Sequence, residues 1–149
     1  MQRKIFSYIE KCLYNYPTNL IRLAGLVEEL NIIRSVGDVN GQSYDITGGG
    51  AGNGYADPVA NYFAKIEQAE QRINKLARQL NQITVLHETL KNSQTLDAVT
   101  SADYVLLLQR FYFGVLPVNI FLQESDWGRS KFYSRRLGLI RLAQEYLIV

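Results

Sequence analysis

Cysteine and histidine are almost absent from this sequence of 149 residues, since each occurs once. The lone cysteine, Cys12, excludes a disulfide within the chain and a cysteine metal cluster, and this fits a reducing compartment. The lone histidine, His87, would need carboxylates from several helices to hold zinc, and no such spacing occurs. We therefore expect no metal and no other cofactor, and we interpret His87 as a packed or interface residue.

Long apolar runs and a strong net charge are also missing. No stretch of about 18 uncharged apolar residues is available to span a membrane. The N-terminus lacks the apolar run of a signal peptide. The formal net charge of +2 is too small to indicate nucleic-acid binding by itself. Together with an ordinary apolar content of 47%, these features predict a cytoplasmic globular protein with no membrane partner.

Apolar residues recur at gaps of three and four along residues 1–34, which predicts helix. Pro17 interrupts the pattern because it lacks an N–H group and disfavours helical geometry in Tyr16. We predict a short helix, a break near Asn15–Pro17, and a second helix with Pro17 in its first turn. The residues of this pattern are Ile5, Ile9, Leu13, Tyr16, Leu20, Leu23, Val27 and Leu30.

Residues 35–57 contain seven of the eleven glycines, together with several Asn and Asp residues. This composition predicts a flexible connection. A phosphate-binding loop is the other interpretation, but it would need Lys and Ser or Thr after the last glycine. Gly54 is followed instead by Tyr55 and Ala56. We attach no function to the densest part, residues 46–54.

A long helix is predicted from Pro58 to about Lys91, with Asp57 as its N-cap. Two sets of apolar residues, offset by three and four, recur every seven residues and form a heptad seam. The sets are Ile66, Ile73, Leu80 and Tyr62, Ala69, Leu76, Ile83, Leu90. The seam favours either a helical hairpin within residues 1–93, containing a glycine-rich loop at 35–57, or a homodimer interface. Both can hold at once.

Residues 96–149 form the second predicted region. Thr100–Asp103 resembles a capping box, and the helix after it is expected to end at Gly114. A short helix over Pro117–Glu124, a turn over Ser125–Gly128 and a last helix over Arg129–Leu147 follow. No segment alternates with period two for long enough to be a strand, so we predict an all-α fold.

The last two helices have the spacing of a helix-turn-helix, whose second helix reads DNA. Between Arg129 and Gln144 this helix carries five basic residues and no acidic one. Cations there would neutralise DNA phosphates, and arginine also recognises guanine. The predicted DNA-binding residues are Arg129, Ser130, Lys131, Tyr133, Ser134, Arg135, Arg136 and Arg141. Arg136 lies beside the apolar stripe and so could point inward, whereas the hydroxyls of Tyr112 and Tyr133 could reach phosphates.

The chain from about Tyr112 to Leu147 resembles the sigma-factor region 4-type helix-turn-helix of phage transcriptional regulators, the ArpU and RinA group. The resembling residues are Tyr112-Phe113, Pro117–Glu124, Trp127–Tyr133, Arg135-Arg136 and the trailing Leu-Ile-Arg-Leu-Ala, with Tyr16-Pro17 near the N-terminus. The resemblance implies a phage or prophage activator of late genes, acting on double-stranded DNA in a bacterial host cell. Gly128 departs from the pattern, which has Ser as N-cap. Trp127 either packs under the turn or stacks on the DNA backbone.

Other functions stay open. A small terminase-type DNA-packaging subunit is also helical with a helix-turn-helix, and ring-like assembly would distinguish it. A helical module that contacts RNA polymerase is a third interpretation. The chain has no nucleophile elbow and no arrangement of catalytic residues that we can identify, so we expect no enzymatic activity.

Overall fold

The computed structural model describes residues 1–47, 58–92 and 96–147. Throughout these residues the regular structure is helical, which confirms the all-α prediction, and no helix among them is long and apolar enough to cross a membrane. The helices are α1 (Arg3–Tyr14), α2 (Tyr16–Thr47), α3 (Pro58–Asn92), α4 (Ala98–Leu106) with a π-helical continuation (Leu107–Tyr112), α5 (Val118–Ser125) and α6 (Arg129–Leu147).

The chain forms two compact units. One unit combines Met1–Asn19 with Gln79–Val149, and the other consists of Leu20–Arg78. We call them the terminal unit and the middle unit. This division differs from the predicted boundary at residues 93–96, because α1 and the end of α3 pack with the C-terminal helices.

The break between α1 and α2 lies at Asn15, as the position of Pro17 predicted. α2 then continues to Thr47 and includes part of the predicted connection at 35–57. This first part contains only two of the seven glycines, Gly37 and Gly41. The denser glycine run from residue 48 onward, and the predicted N-cap Asp57, lie outside the described residues.

Aromatic side chains form the core of the terminal unit. The ring of Phe111 contacts those of Phe121 and Phe132, with ring centroids 5.6 and 5.1 Å away. Tyr14 of α1 packs edge-on against Tyr112 at 4.8 Å. Aromatic pairs at such distances add about 0.5–1.5 kcal/mol each beyond the burial of their area. The core therefore holds α1, α5 and α6 around the π-helical segment.

The start of α4 corrects one prediction. Its N-cap is Asp97, whose carboxylate accepts hydrogen bonds from the backbone N–H and the hydroxyl of Thr100, at 2.8 and 2.7 Å. Thr100 was predicted to be the cap with Asp103 as its partner. Asp97 accepts from the third helical residue as a cap does, and Asp103 is thereby available to pair with α6.

The end of this helical segment lies next to Gly114, as predicted, but the left-handed residue is Val115, with a φ of 50°. Gly114 is needed because a Cβ there would lie 2.5 Å from the carbonyl oxygen of Arg110. The preceding π-helical turn was not predicted. Leu107, Leu108, Phe111 and Tyr112 from this turn are all buried.

In the middle unit, segments of α2 and α3 lie side by side. Arg34 of α2 forms an ion pair with Glu70 of α3, and the Tyr62 hydroxyl donates to the Arg34 carbonyl at 3.3 Å. The seam residues of α3 in this unit, such as Ile66 and Ile73, are half-buried rather than buried. Leu30 is the one buried apolar residue among the described residues of this unit.

Candidate nucleic-acid interface

A three-residue connection joins α5 to α6, close to the predicted turn. Asp126 adopts the left-handed conformation with φ 60° and ends α5, its N–H donating to the carbonyl of Leu122 at 3.0 Å. The Gly128 carbonyl accepts from Phe132 N–H at 3.1 Å, which makes Gly128 the N-cap of α6. A Cβ on Gly128 would meet no atom within 4 Å, so serine would also fit there.

Apolar packing fixes the two helices below this turn. Phe121 of α5 and Phe132 of α6 are both fully buried, with ring centroids 5.8 Å apart. The Trp127 ring stands perpendicular to Phe121 at 5.3 Å, and the Lys131 ammonium lies 4.9 Å from the centroid of the Trp127 ring. Of the two interpretations of Trp127, this contact favours packing under the turn.

One side of α6 faces solvent from Arg129 to Glu145. At about 100° per residue, the exposed side chains of this side fall within one arc of the helix. They are Arg129, Ser130, Tyr133, Ser134, Leu137, Arg141 and Glu145, and we call them the outer face. Within the part of the chain that the structure describes, Arg129 and Arg141 form no ion pair or hydrogen bond. Their charges are therefore free to bind a partner.

Two of the predicted DNA-binding residues bind Asp103 of α4 instead. Arg135 Nε donates to the Asp103 carboxylate at 3.0 Å, and its Nη1 donates to the Thr100 hydroxyl at 3.2 Å. Lys131 Nζ lies 3.5 Å from the same carboxylate oxygen. The Arg135 side chain is 28% exposed, compared with 44% for Lys131. Arg135 thus fixes α6 to α4, whereas Lys131 lies at the edge of the outer face.

Arg136 points inward, toward α1. Its Nε donates to Oε1 of Glu10 at 2.6 Å, and the same oxygen accepts from the Tyr112 hydroxyl at 2.8 Å. The hydrogen bond to Glu10 raises the pKa of Arg136. Burial first, and then the Glu10 charge, raise the pKa of the Tyr112 hydroxyl. The suggestion that Tyr112 reaches phosphates is therefore wrong, because this tyrosine is fully buried.

The other predicted DNA-binding residues lie together on one side of α6. Arg129, Ser130, Tyr133, Ser134 and Arg141 share the outer face. Leu137 joins them although sequence reasoning did not select it, and its spacing of four from Tyr133 was the signal that would have done so. The face therefore combines two guanidinium groups, three hydroxyls, one aliphatic side chain and the carboxylate of Glu145.

His87 lies far from this face in sequence and packs within the terminal unit. Its ring stands edge-on to Phe113 at 5.7 Å, and its Nε2 lies 3.0 Å from the Gln109 amide nitrogen. Burial, followed by the nearby Lys91 charge, lowers the pKa of His87. No group of three or more potential metal ligands occurs among the described residues.

Comparison with known proteins gives no relative from which a function could be transferred. No protein-family model, no curated protein and no solved structure matches the chain. The geometry of α5, the turn and α6 is therefore the basis for assigning a function.

Proposed function

We propose that this protein is a phage- or prophage-type DNA-binding transcriptional regulator, an activator of late genes, that places α6 in the major groove. The observation that carries the proposal is the outer face of α6. Every predicted contact residue that is not used inside the fold lies on this face or at its edge.

The dimensions of the outer face suit DNA. Arg129 and Arg141 are twelve residues apart, which is about 18 Å along an α-helix. A major groove about 12 Å wide admits a helix, so the two arginines can reach phosphates at separate positions along the groove. Ser130 and Ser134, between them on the same face, can donate to or accept from base edges or phosphates.

The inward-facing arginines have a positioning role in this proposal. Arg135 holds α6 to α4 through Asp103, and Arg136 holds it to α1 through Glu10. Because the core lies on the opposite side of α6, the outer face is presented by a helix fixed on several sides. A rigid scaffold keeps contact residues in register with the groove.

The proposal includes a homodimer, since two copies of a helix-turn-helix bind half-sites about one helical turn of DNA apart. RNA polymerase would be the further partner of an activator. Ring-like assembly well above a dimer would favour the terminase-type packaging subunit instead.

The experiment is DNA affinity at several salt concentrations, using DNA from around the protein's own gene. We expect Arg129→Ala/Arg141→Ala to weaken binding at low salt and to reduce the slope of log affinity against log salt by about 1.8, since each phosphate contact contributes about 0.9. The matched control is Arg72→Ala/Arg78→Ala. It removes the same charge from exposed positions of α3 and should leave the slope near that of the wild type.

Equal losses in both variants would show that overall charge, and not the outer face, determines binding. Absence of binding by folded wild type even at low salt would contradict the proposal. Retained binding to RNA polymerase in that case would favour the protein-interaction module.

A further inference from the structure

α2 is apolar on two faces in the middle unit, and only one of them is covered. Leu23, Leu26, Leu30 and Ile33 lie on the buried or half-buried side. Ile21, Ile32 and Val36 lie on another side and are 76%, 55% and 51% exposed. Large apolar side chains exposed together on one face of a helix often mark a surface that a partner binds. The exposed face is therefore one that a partner would cover.

Gly25 lies in the same exposed stripe, four residues after Ile21 and seven before Ile32. Glycine inside a helix is unfavourable compared with alanine. A Cβ on Gly25 would meet no atom within 4 Å, so packing among the described residues does not require glycine there. It does leave a gap in which another backbone could approach α2 closely.

The charges beside this stripe can pair with the same charges on a second copy of the helix. Arg22 and Glu29 are seven residues apart, so they occupy the same flank of the helix, one on each side of Gly25. Both are exposed, and neither has an ion-pair partner among the described residues. A third exposed charge, Glu28, lies in the stripe itself, three residues after Gly25 and four before Ile32. If a second α2 runs antiparallel across the first, each Arg22 faces a Glu29 of the other copy, and Ile21 lies near Ile32.

We propose that the face of α2 formed by Ile21, Arg22, Gly25, Glu29 and Ile32 binds a second copy of this chain in an antiparallel, two-fold symmetric contact. An isologous interface requires a surface that is complementary to itself, and the order isoleucine, arginine, glycine, glutamate, isoleucine meets that requirement. The heptad seam of α3, half-buried beside α2, then serves packing within the chain. The inference rests on the homodimer of the proposed function, and it names the surface.

A charge-swap series tests this contact by sedimentation equilibrium of the full chain without DNA. We expect the wild type to approach about twice its mass of 17.0 kDa as concentration rises. Arg22→Glu and Glu29→Arg each turn two attractive pairs into repulsive ones, and should each raise the dimer Kd by about tenfold or more. The double variant restores the pairs and should recover a Kd near that of the wild type.

The two single variants change net charge in opposite directions, so a shared loss of association cannot come from net charge. Arg72→Glu, at an exposed position of α3 in the same unit, is the matched control and should leave the Kd unchanged. Circular dichroism checks that each variant stays helical. A wild type that is monomeric at all concentrations, a mass above that of a dimer, or single variants that associate like the wild type would each overturn the inference. None of these outcomes depends on DNA binding, which is measured separately.

Discussion

Gly138 is the point at which α6 comes closest to α4, and replacing it tests how the outer face is positioned. A Cβ at this position would lie 2.1 Å from the Tyr104 hydroxyl oxygen and 3.1 Å from the ring carbon that bears it. Tyr104 is itself only 9% exposed and belongs to the core of the terminal unit. Its ring therefore cannot swing away without disturbing the side chains around it.

Two opposing effects set the magnitude of Gly138→Ala. Alanine is favoured over glycine inside a helix by about 1 kcal/mol. Overpacking a dense core costs about 1–3 kcal/mol, and the Cβ overlaps an atom that would have to move by more than about 1 Å to reach ordinary contact distance. We expect the clash to prevail, with the free energy of unfolding falling by about 1–2 kcal/mol.

Tyr104→Phe provides the control because it removes the hydroxyl oxygen that the new Cβ would strike. In that background the new Cβ still lies 3.1 Å from the terminal ring carbon of residue 104, but the helix preference for alanine offsets part of this contact, so Gly138→Ala should cost less than about 1 kcal/mol. Urea denaturation of the four proteins gives the coupling energy of the pair. Equal destabilisation in both backgrounds, or a Gly138→Ala protein more stable than the wild type, would refute this reasoning.

Two further substitutions test contacts around the same core. Glu10→Gln removes the carboxylate that Arg136 and Tyr112 share, and should cost about 1–3 kcal/mol in urea denaturation. Glu124→Gln, which breaks an exposed pair with Arg110, should cost less than about 1 kcal/mol, and equal costs would contradict the structure. Because burial lowers the pKa of His87 below 6.5, the unfolded chain binds its proton more readily. The Tm should therefore fall as pH drops from about 7.5 to 5.5, and less so in His87→Gln; an equal fall in both would count against this explanation.

The sequence predicted the helices well where local chemistry decides them. Pro17 and Pro58 set helix starts, and the Asp126–Gly128 connection lies inside the predicted turn. The cap of α4 was missed because Asp97 and Thr100 are both good caps by type. Only the carboxylate contacts of Asp97 with Thr100 distinguish them. The extension of α2 to Thr47 was missed because glycine content was averaged over the whole of 35–57.

The outer face was predicted only in part, because the partners of Arg135 and Arg136 are distant in sequence. Glu10 lies 126 residues before Arg136, and Asp103 lies 32 residues before Arg135. Helical periodicity places a side chain on a face of its own helix, but it cannot show which neighbouring helix packs there. The position of Arg136 next to the apolar stripe indicated that its side chain could point inward. Arg135 gave none.

The ion pairs of α6 also bear on how its charge would act. Five basic residues in one helix suggest a strongly positive surface, yet Arg135 and Arg136 are paired with carboxylates that are each only 13% exposed. Their charge is compensated within the fold, so they add little long-range attraction to DNA. On α6, the attraction to phosphates must therefore come from Arg129 and Arg141 and from Lys131 at the edge. A binding mode with so few phosphate contacts has a shallow dependence on salt. Strong binding to a specific site would then require base contacts from Ser130, Ser134 or Arg129. The ratio of specific to nonspecific affinity is the measurement that separates the contribution of base contacts from that of phosphate contacts.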